Sequence, residues 1–357
     1  MASAIAAGHL QSSLVSSHKD KQHLDSKPRS EEKSASNSHS SHSSSKAGGA
    51  AQGMLQHVYV DGATAKGKRE YQQDRHIALP DFKPRHGGED QVNCCLVGVF
   101  DGHKSEQAAE LAVAKMPGIL ADQRSLGRSE APDSSEGLKG PDSGDRIAQA
   151  LKASFKDLDA QILAEEQKQG VEKGAFGGCT AVVALAMGDV LYTAHVGDSG
   201  AIIDRGGTAY RLTEDHKPYM KAERQRIQEA GGQLVENGNR VLSNAKDDGR
   251  ASMLAMSRAL GDADYKDPKP FVSAEASVRR LDLLPEDKAV IIASDGLWDV
   301  IGDQDVVTMV DQLIKEGGDG DKSNLARRAA QKLVQVALQR GTADNVTALV
   351  MLPHWTQ

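Results

Sequence analysis

Apolar residues come along this chain in short runs separated by polar turns. "QVNCCLVGVF" reads as a buried strand, and so does "KAVIIASDG", with "NVTALVML" as the last strand. Residues 179–212 hold a run of four strands. Gly188-Asp189 and Gly206-Gly207 are two-residue hairpin connections, and residues 197–200 make the turn between the pairs. Consecutive hairpins predict an antiparallel meander, against a doubly wound fold in which helices alternate with strands. "AVVALAM" is apolar throughout, so both its faces must be covered, as in a sheet between a second sheet and a helical layer.

Elsewhere the period is that of helices. Residues 105–120 and 145–169 predict one helix each. A third spans residues 303–316, with Val306, Val307, Val310, Leu313 and Ile314 as its apolar stripe, Asp303 able to cap it and Gly317 able to stop it. A fourth, residues 323–340, carries Leu325, Ala329, Leu333, Val336 and Ala337 on one face and ends at Gly341. Residues 122–144, rich in Ser, Gly and Pro, read as a loop insertion in a domain spanning 54–357.

Residues 1–53 are different: rich in Ser, Lys, His and Gly, with the low-complexity stretch "SASNSHSSHSSSKAGGA". Such a segment buries too little apolar area to fold and is expected to be a disordered tail. It has no long apolar core, which argues against a secretory signal. Its first residues are acid-poor and Ser-rich, as in an organelle transit peptide, yet no Arg precedes Arg29. A plain tail is the favoured reading, and the transit peptide stays open.

The totals narrow the function classes. The 357 residues are 39% hydrophobic and 26% charged, an ordinary globular mixture. A net charge of -7 gives no basic face for nucleic acid. No apolar run approaches the roughly 18 residues of a membrane span. Cys94, Cys95 and Cys179 lie inside strand-like runs without CxxC spacing, which argues against a disulfide frame or structural zinc. A reducing compartment, cytoplasm or nucleus, and a monomer are the default expectations.

The chemistry lies in the acids. Asp74 sits in "KREYQQDR", Asp101 ends "LVGVF", Asp198 follows "LYTAHVG", Asp262 closes "LAMSRALGD", Asp295 ends "AVIIAS" and Asp344 opens "NVTALVML". Each alone reads as a turn or cap. Gathered at one edge of a sandwich they would repel one another unless cations joined them. Carboxylates, a carbonyl and water suit Mg²⁺ or Mn²⁺. Two such ions can share a water and lower its pKa for in-line attack on phosphorus. Gly102, without a Cβ, lets its carbonyl approach an ion. No nucleophilic Cys signature or Asp-x-Asp-x-Thr motif appears, so water is the economical nucleophile.

These motifs give the chain its resemblance. "REYQQDR", "VFDGH", "GGCTA", "HVGDSG", "LTEDHKP", "MSRALGD", "IIASDGLWDV" and "GTADNVT" run in the order found in the metal-dependent Ser/Thr protein phosphatases of the 2C type, the PPM family, and the likeness covers about residues 55–353. It implies an α+β fold, a four-layer αββα sandwich of two antiparallel sheets flanked by helices. It implies two Mg²⁺ or Mn²⁺ ions per subunit and phosphorylated proteins as substrates. Asp101 would bridge the metals, Gly102 would lend its carbonyl, and Asp262, Asp295 and Asp344 would bind them, with Asp74 beside or among the ligands. Arg69 would hold the phosphate with its planar fork, although Lys66, Lys68 and Arg69 also read as a solvated basic stretch. His103 would protonate the leaving alkoxide, and its bland alternative is a helix-start histidine bonded to backbone.

Other positions read as structural. Asp198 is expected to bond turn amides, Cys179 to be a small packed residue, and Leu297 and Trp298 to be core. Four positions depart from the common family pattern. Gln73 stands where Glu is frequent, removing one charge near the metals. Lys104-Ser105 replaces Gly, and the lysine could assist the phosphate or repel the cations. His195 stands for a usual Asn and Gly200 for a usual Arg, with effects expected on a turn and a surface contact. A mobile flap that sets partner choice is expected within residues 217–254. Two further functions compete with the phosphatase: a catalytically inert scaffold that holds phosphoprotein, and a hydrolase of small phosphate esters.

Overall fold

In the strand Ala181–Met187 successive side chains go to different neighbours. Ala181, Val183 and Leu185 pack with residues of the helices Gln107–Ala121 and Arg146–Gln169. Val182, Ala184 and Ala186 pack instead against Leu349 and Met351 of a second sheet. Period-two alternation with both faces apolar thus sets the layers, as the sequence requires. The computed structural model describes residues 55–86, 93–127, 145–244, 249–267, 269–317 and 320–356.

Two five-stranded antiparallel sheets make the sandwich. One runs Leu55–Ala65, Val346–Trp355, Asp287–Ala293, Gly200–Arg205, Thr208–Arg211. The other runs Ser277–Asp282, Val190–Val196, Ala181–Met187, Cys94–Phe100, Arg75–Phe82. Helices Asp303–Gly317 and Lys322–Gln339 cover the outer face of the first through Val306, Val310, Ala329 and Leu333, against Ile291, Ala293, Ala348 and Val350. The result is the expected αββα order.

The predicted helices shift by one or two residues at most ends. Asp145 caps the second by accepting from the amides of Ile147 and Ala148. Asp303 is the first residue of its helix rather than its cap. Gly206 and Gly207 take φ of 62° and 91°, which a right-twisted two-residue hairpin demands.

The single meander is corrected. Ala181–Met187 and Val190–Val196 form a hairpin in one sheet, while Gly200–Arg205 and Thr208–Arg211 form a hairpin in the other. Residues 197–199 carry the chain across the sandwich, which puts Asp198 at its mouth instead of at the tip of a hairpin. Hairpin chemistry is local and legible, but the sheet each hairpin joins is decided by partners about a hundred residues away.

The expected flap is a small unit of its own. Helix Lys221–Glu229 and the short strands Gln233–Val235, Arg240–Leu242 and Met253–Leu254 enclose Ile227, Val241, Tyr265 and Phe271. Buried Glu223 ties it down, accepting from Arg226, Arg258 and Ser257. The tail of residues 1–53 and most of the insertion, residues 128–144, lie outside the described residues. Among the described residues no helix is long and apolar enough to cross a membrane.

Candidate active site

Strand ends bring four of the predicted acids together. Asp101 follows Cys94–Phe100, Asp295 follows Asp287–Ala293, Asp74 precedes Arg75–Phe82 and Asp344 precedes Val346–Trp355. Antiparallel pairing sets these ends at one edge of the sandwich. Burial pushes the Asp101 carboxyl well above the usual range, and the charges of Asp74, Asp295, Asp198 and Asp344 push it further. Burial, then Asp198, Asp299 and Asp344, raise Asp295 to about 8. Burial and the Asp344 charge raise Asp74 to about 6, against hydrogen bonds from Thr347 and Ser294, the latter at 2.8 Å from Oδ2. Protons or cations must relieve such a group.

Asp262 has basic partners of its own. It is fully buried and takes a left-handed φ of 54°. Its Oδ2 lies 2.7 Å from His103 Nε2, with Lys104 Nζ 3.9 Å from Oδ1. Burial alone would raise its carboxyl, but His103, Lys104 and Lys266 outweigh burial and hold it below the usual range. Gly178 makes room for it, since a Cβ there would stand 2.2 Å from Asp262 Oδ2.

The remaining predicted residues fall around these two centres. Gly102 is buried in a two-residue strand paired to Cys179, and a Cβ there would stand 2.8 Å from the Gln73 carbonyl. His103 lies in the same short strand, so it is neither at a helix start nor bonded to backbone through Nε2; its Nδ1 is buried without a partner. Arg69 is exposed and its Nη2 lies 2.5 Å from Asp344 Oδ2.

Asp198 departs from expectation. It does not bond turn amides: Oδ2 accepts from Lys217 Nζ at 2.5 Å, and Oδ1 is buried without a partner. Its charge bears on both Asp101 and Asp295, a role that required knowing where residues 197–199 cross. Trp298 is only half-buried, with the Arg211 guanidinium 4.6 Å from its ring centroid. Leu297 and Cys179 are core, as expected.

The family departures also resolve. Lys104 takes φ of 65°, the backbone that suits the usual Gly, and its ammonium pairs with Asp264 at 3.0 Å and stands 5.2 Å from the Tyr265 ring centroid. His195 and Gly200 touch neither a turn tip nor the surface. His195 is buried, donates from Nε2 to the Glu214 carbonyl at 2.8 Å and stacks on His216. At Gly200 a Cβ would stand 2.5 Å from Arg211, whose side chain fills the space.

The donor set tests well against hard cations. Oxygens of Asp74, Asp198, Asp262 and Asp295 are buried without partners, and no soft ligand lies among the predicted set. Among the described residues no three His, Cys, Asp or Glu side chains are already arranged around one ion position. Instead Arg69, His103 and Lys217 each hold a carboxylate.

Comparison with known proteins agrees with this architecture. The family described as Protein phosphatase 2C matches residues 59–346. The chain is similar to probable protein phosphatase 2C 59 of Oryza sativa subsp. japonica, 32% identical over 296 residues, or 81% of this chain and 74% of the relative. It is similar to protein phosphatase 1F of Homo sapiens, 32% identical over 284 residues, or 79% of this chain and 54% of the relative. It thus spans about half the length of the human protein and 74% of the rice one. Among solved structures, the serine-threonine phosphatase 2C from Toxoplasma gondii superposes with a TM-score of 0.70 at 25% identity, covering 85% of this chain and 98% of that one. The chain belongs to the protein phosphatase 2C family.

Proposed function

We propose that this chain is a metal-dependent protein serine/threonine phosphatase that removes phosphate from phosphoserine and phosphothreonine by attack of water. Its family is one of protein phosphatases that depend on metal. The observation that carries the reading is the edge cluster of Asp74, Asp101, Asp295 and Asp344, whose mutual repulsion the neighbouring Arg69, Lys217 and Ser294 relieve only in part. A scaffold that only holds phosphoprotein gains nothing from keeping these charges together.

Asp74, Asp101, Asp262, Asp295 and Asp344, with the Gly102 carbonyl, would hold two Mg²⁺ or Mn²⁺ ions. When bound, the ions supply the positive charge that acidifies a water and screens the phosphate. The chain's own residues do the rest. Arg69, held at the rim beside Asp344, presents a planar fork to two phosphate oxygens. His103 supplies the proton that the departing serine or threonine oxygen needs. In the metal-free chain Asp262 holds the ring through Nε2.

The intended substrates are phosphorylated proteins, met as a monomer in cytoplasm or nucleus. Cys95 and Cys179 are buried free thiols, which supports a reducing compartment. The catalytic domain is taken as residues 54–357 and residues 1–53 as an appended tail. The test is phosphate release from a phosphothreonine peptide by the wild type and by Asp101→Asn. Turnover in the first and none in the second supports the reading, and equal rates refute the assignment of Asp101.

A further inference from the structure

Residues 66–71 form an exposed link between the first two strands, with the sequence Lys-Gly-Lys-Arg-Glu-Tyr. The link has no apolar anchor: Tyr71 is 65% exposed, and Lys66, Lys68, Arg69 and Glu70 are all at the surface. Such a segment would ordinarily open easily. Here it is tied at both ends by one buried side chain. Asn345 Nδ2 donates to the Lys66 carbonyl at 2.8 Å and to the Tyr71 carbonyl at 2.9 Å. Its Oδ1 accepts from the Gln73 amide at 2.8 Å. Both amide donors and the carbonyl oxygen of one side chain are thereby spent on this segment.

A second restraint acts on the same turn. Gly67 takes φ of 63°, and a Cβ there would stand 2.1 Å from the Asp344 carbonyl. Only a glycine lets the turn close onto residue 344. Arg69 lies between the tied ends, and its guanidinium already reaches Asp344, whose Oδ1 accepts from the Asn345 amide at 2.7 Å.

We propose that Asn345 is a positioning residue: together with Gly67 it presets the turn so that Arg69 is aimed at the mouth of the acidic cleft before substrate arrives. The ligand of Arg69 is the phosphoryl group, and only this identity rests on the phosphatase reading above. Presetting lowers the ordering that binding would otherwise require, so its loss weakens substrate capture more than turnover. Neither the bonding of Asn345 nor the fit of Gly67 follows from the motif "GTADNVT", where Asn345 stands beside Asp344 and reads as an ordinary strand-start residue.

The experiment uses the full chain. Trypsin cleavage after Lys66, Lys68 and Arg69 is followed by mass spectrometry in wild type, Asn345→Ala and Gly67→Ala. Steady-state kinetics with Mn²⁺ and a phosphothreonine peptide are measured for these, for Arg69→Ala and for Asn345→Ala in the Arg69→Ala background. Cleavage within the turn is expected to accelerate by about tenfold or more in both single variants, through loss of the three Asn345 hydrogen bonds in one and through the clash of a Cβ with the Asp344 carbonyl in the other. KM is expected to rise about tenfold with kcat held within about threefold, and the effect of Asn345→Ala is expected to shrink below about twofold once Arg69 is gone. Turn cleavage at the wild-type rate overturns the proposal, as does a KM effect that persists undiminished without Arg69. Gly67→Ala decides the matter if Asn345→Ala fails to fold. If the wild type hydrolyses no peptide while cleavage still accelerates in the variants, the phosphatase reading fails and the preset turn stands.

Discussion

His103 Nε2 and Asp262 Oδ2 stand 2.7 Å apart, the carboxylate fully buried and the imidazole at the edge of the cleft. The pair joins two short strands, Gly102–His103 and Leu260–Gly261, that flank Gly178–Cys179 in one small sheet. A proton-bearing ring held by a buried acid is suited to serve a departing alkoxide.

If His103 performs that step, its loss matters in proportion to how badly the leaving group needs a proton. His103→Gln is expected to lower kcat on a phosphothreonine peptide by about 10²- to 10⁴-fold. On p-nitrophenyl phosphate, whose phenolate leaves without help, the loss should be far smaller. Comparing the two substrates checks this, and equal losses would remove His103 from proton transfer.

The acidic cluster predicts how the metal-free protein responds to pH. Burial and neighbouring acids raise Asp74 to about 6 and Asp295 to about 8, from 3.8. Through these two groups the folded chain holds protons that the unfolded chain releases, so their contribution to stability is complete below the ordinary carboxylate range and is lost as pH rises towards 8. In EDTA the melting temperature should decline from neutral to weakly alkaline pH, above the range in which the buried His195 and His216 affect stability. Asp295→Asn should flatten the upper part of that decline. A melting temperature that climbs over the same range would contradict the cluster's geometry.

Lys217 is the internal counterion of Asp198, at 2.5 Å across the cleft mouth. Removing one partner of a mostly buried pair strands the other charge. Lys217→Met should lower the metal-free melting temperature by about 2–6 °C, equivalent to ~2 kcal/mol in a chain of this size. Lys217→Met combined with Asp198→Asn should cost less than the two single changes together. Thermal scans of the three variants test this directly, and strict additivity would show the pair to be uncoupled.

The sequence made the layers legible because they rest on periodicity. The alternation in "AVVALAM" foretells two covered faces, and Val306, Val307 and Val310 foretell one helix face. The acids at strand ends were legible for the same reason, since a carboxylate after an apolar run marks a sheet edge. Long-range pairing was not legible. Nothing near residue 198 says that the chain there changes sheets, and nothing near Asp262 says that His103 and Lys104 pair with it. Asn345 was invisible on similar grounds, because its three hydrogen bonds run to residues more than 270 positions away. Gly200 was misread because the arginine filling its space, Arg211, comes from the neighbouring strand.

The central claim is that the carboxylates at the sandwich edge work by holding cations. The most direct measurement is phosphate release from a phosphothreonine peptide by the purified chain, first in EDTA and then with Mg²⁺ or Mn²⁺ restored. Activity that is absent in EDTA and returns with either ion is the predicted result. A folded protein that turns over equally well in EDTA, or that stays silent with both ions, would contradict it.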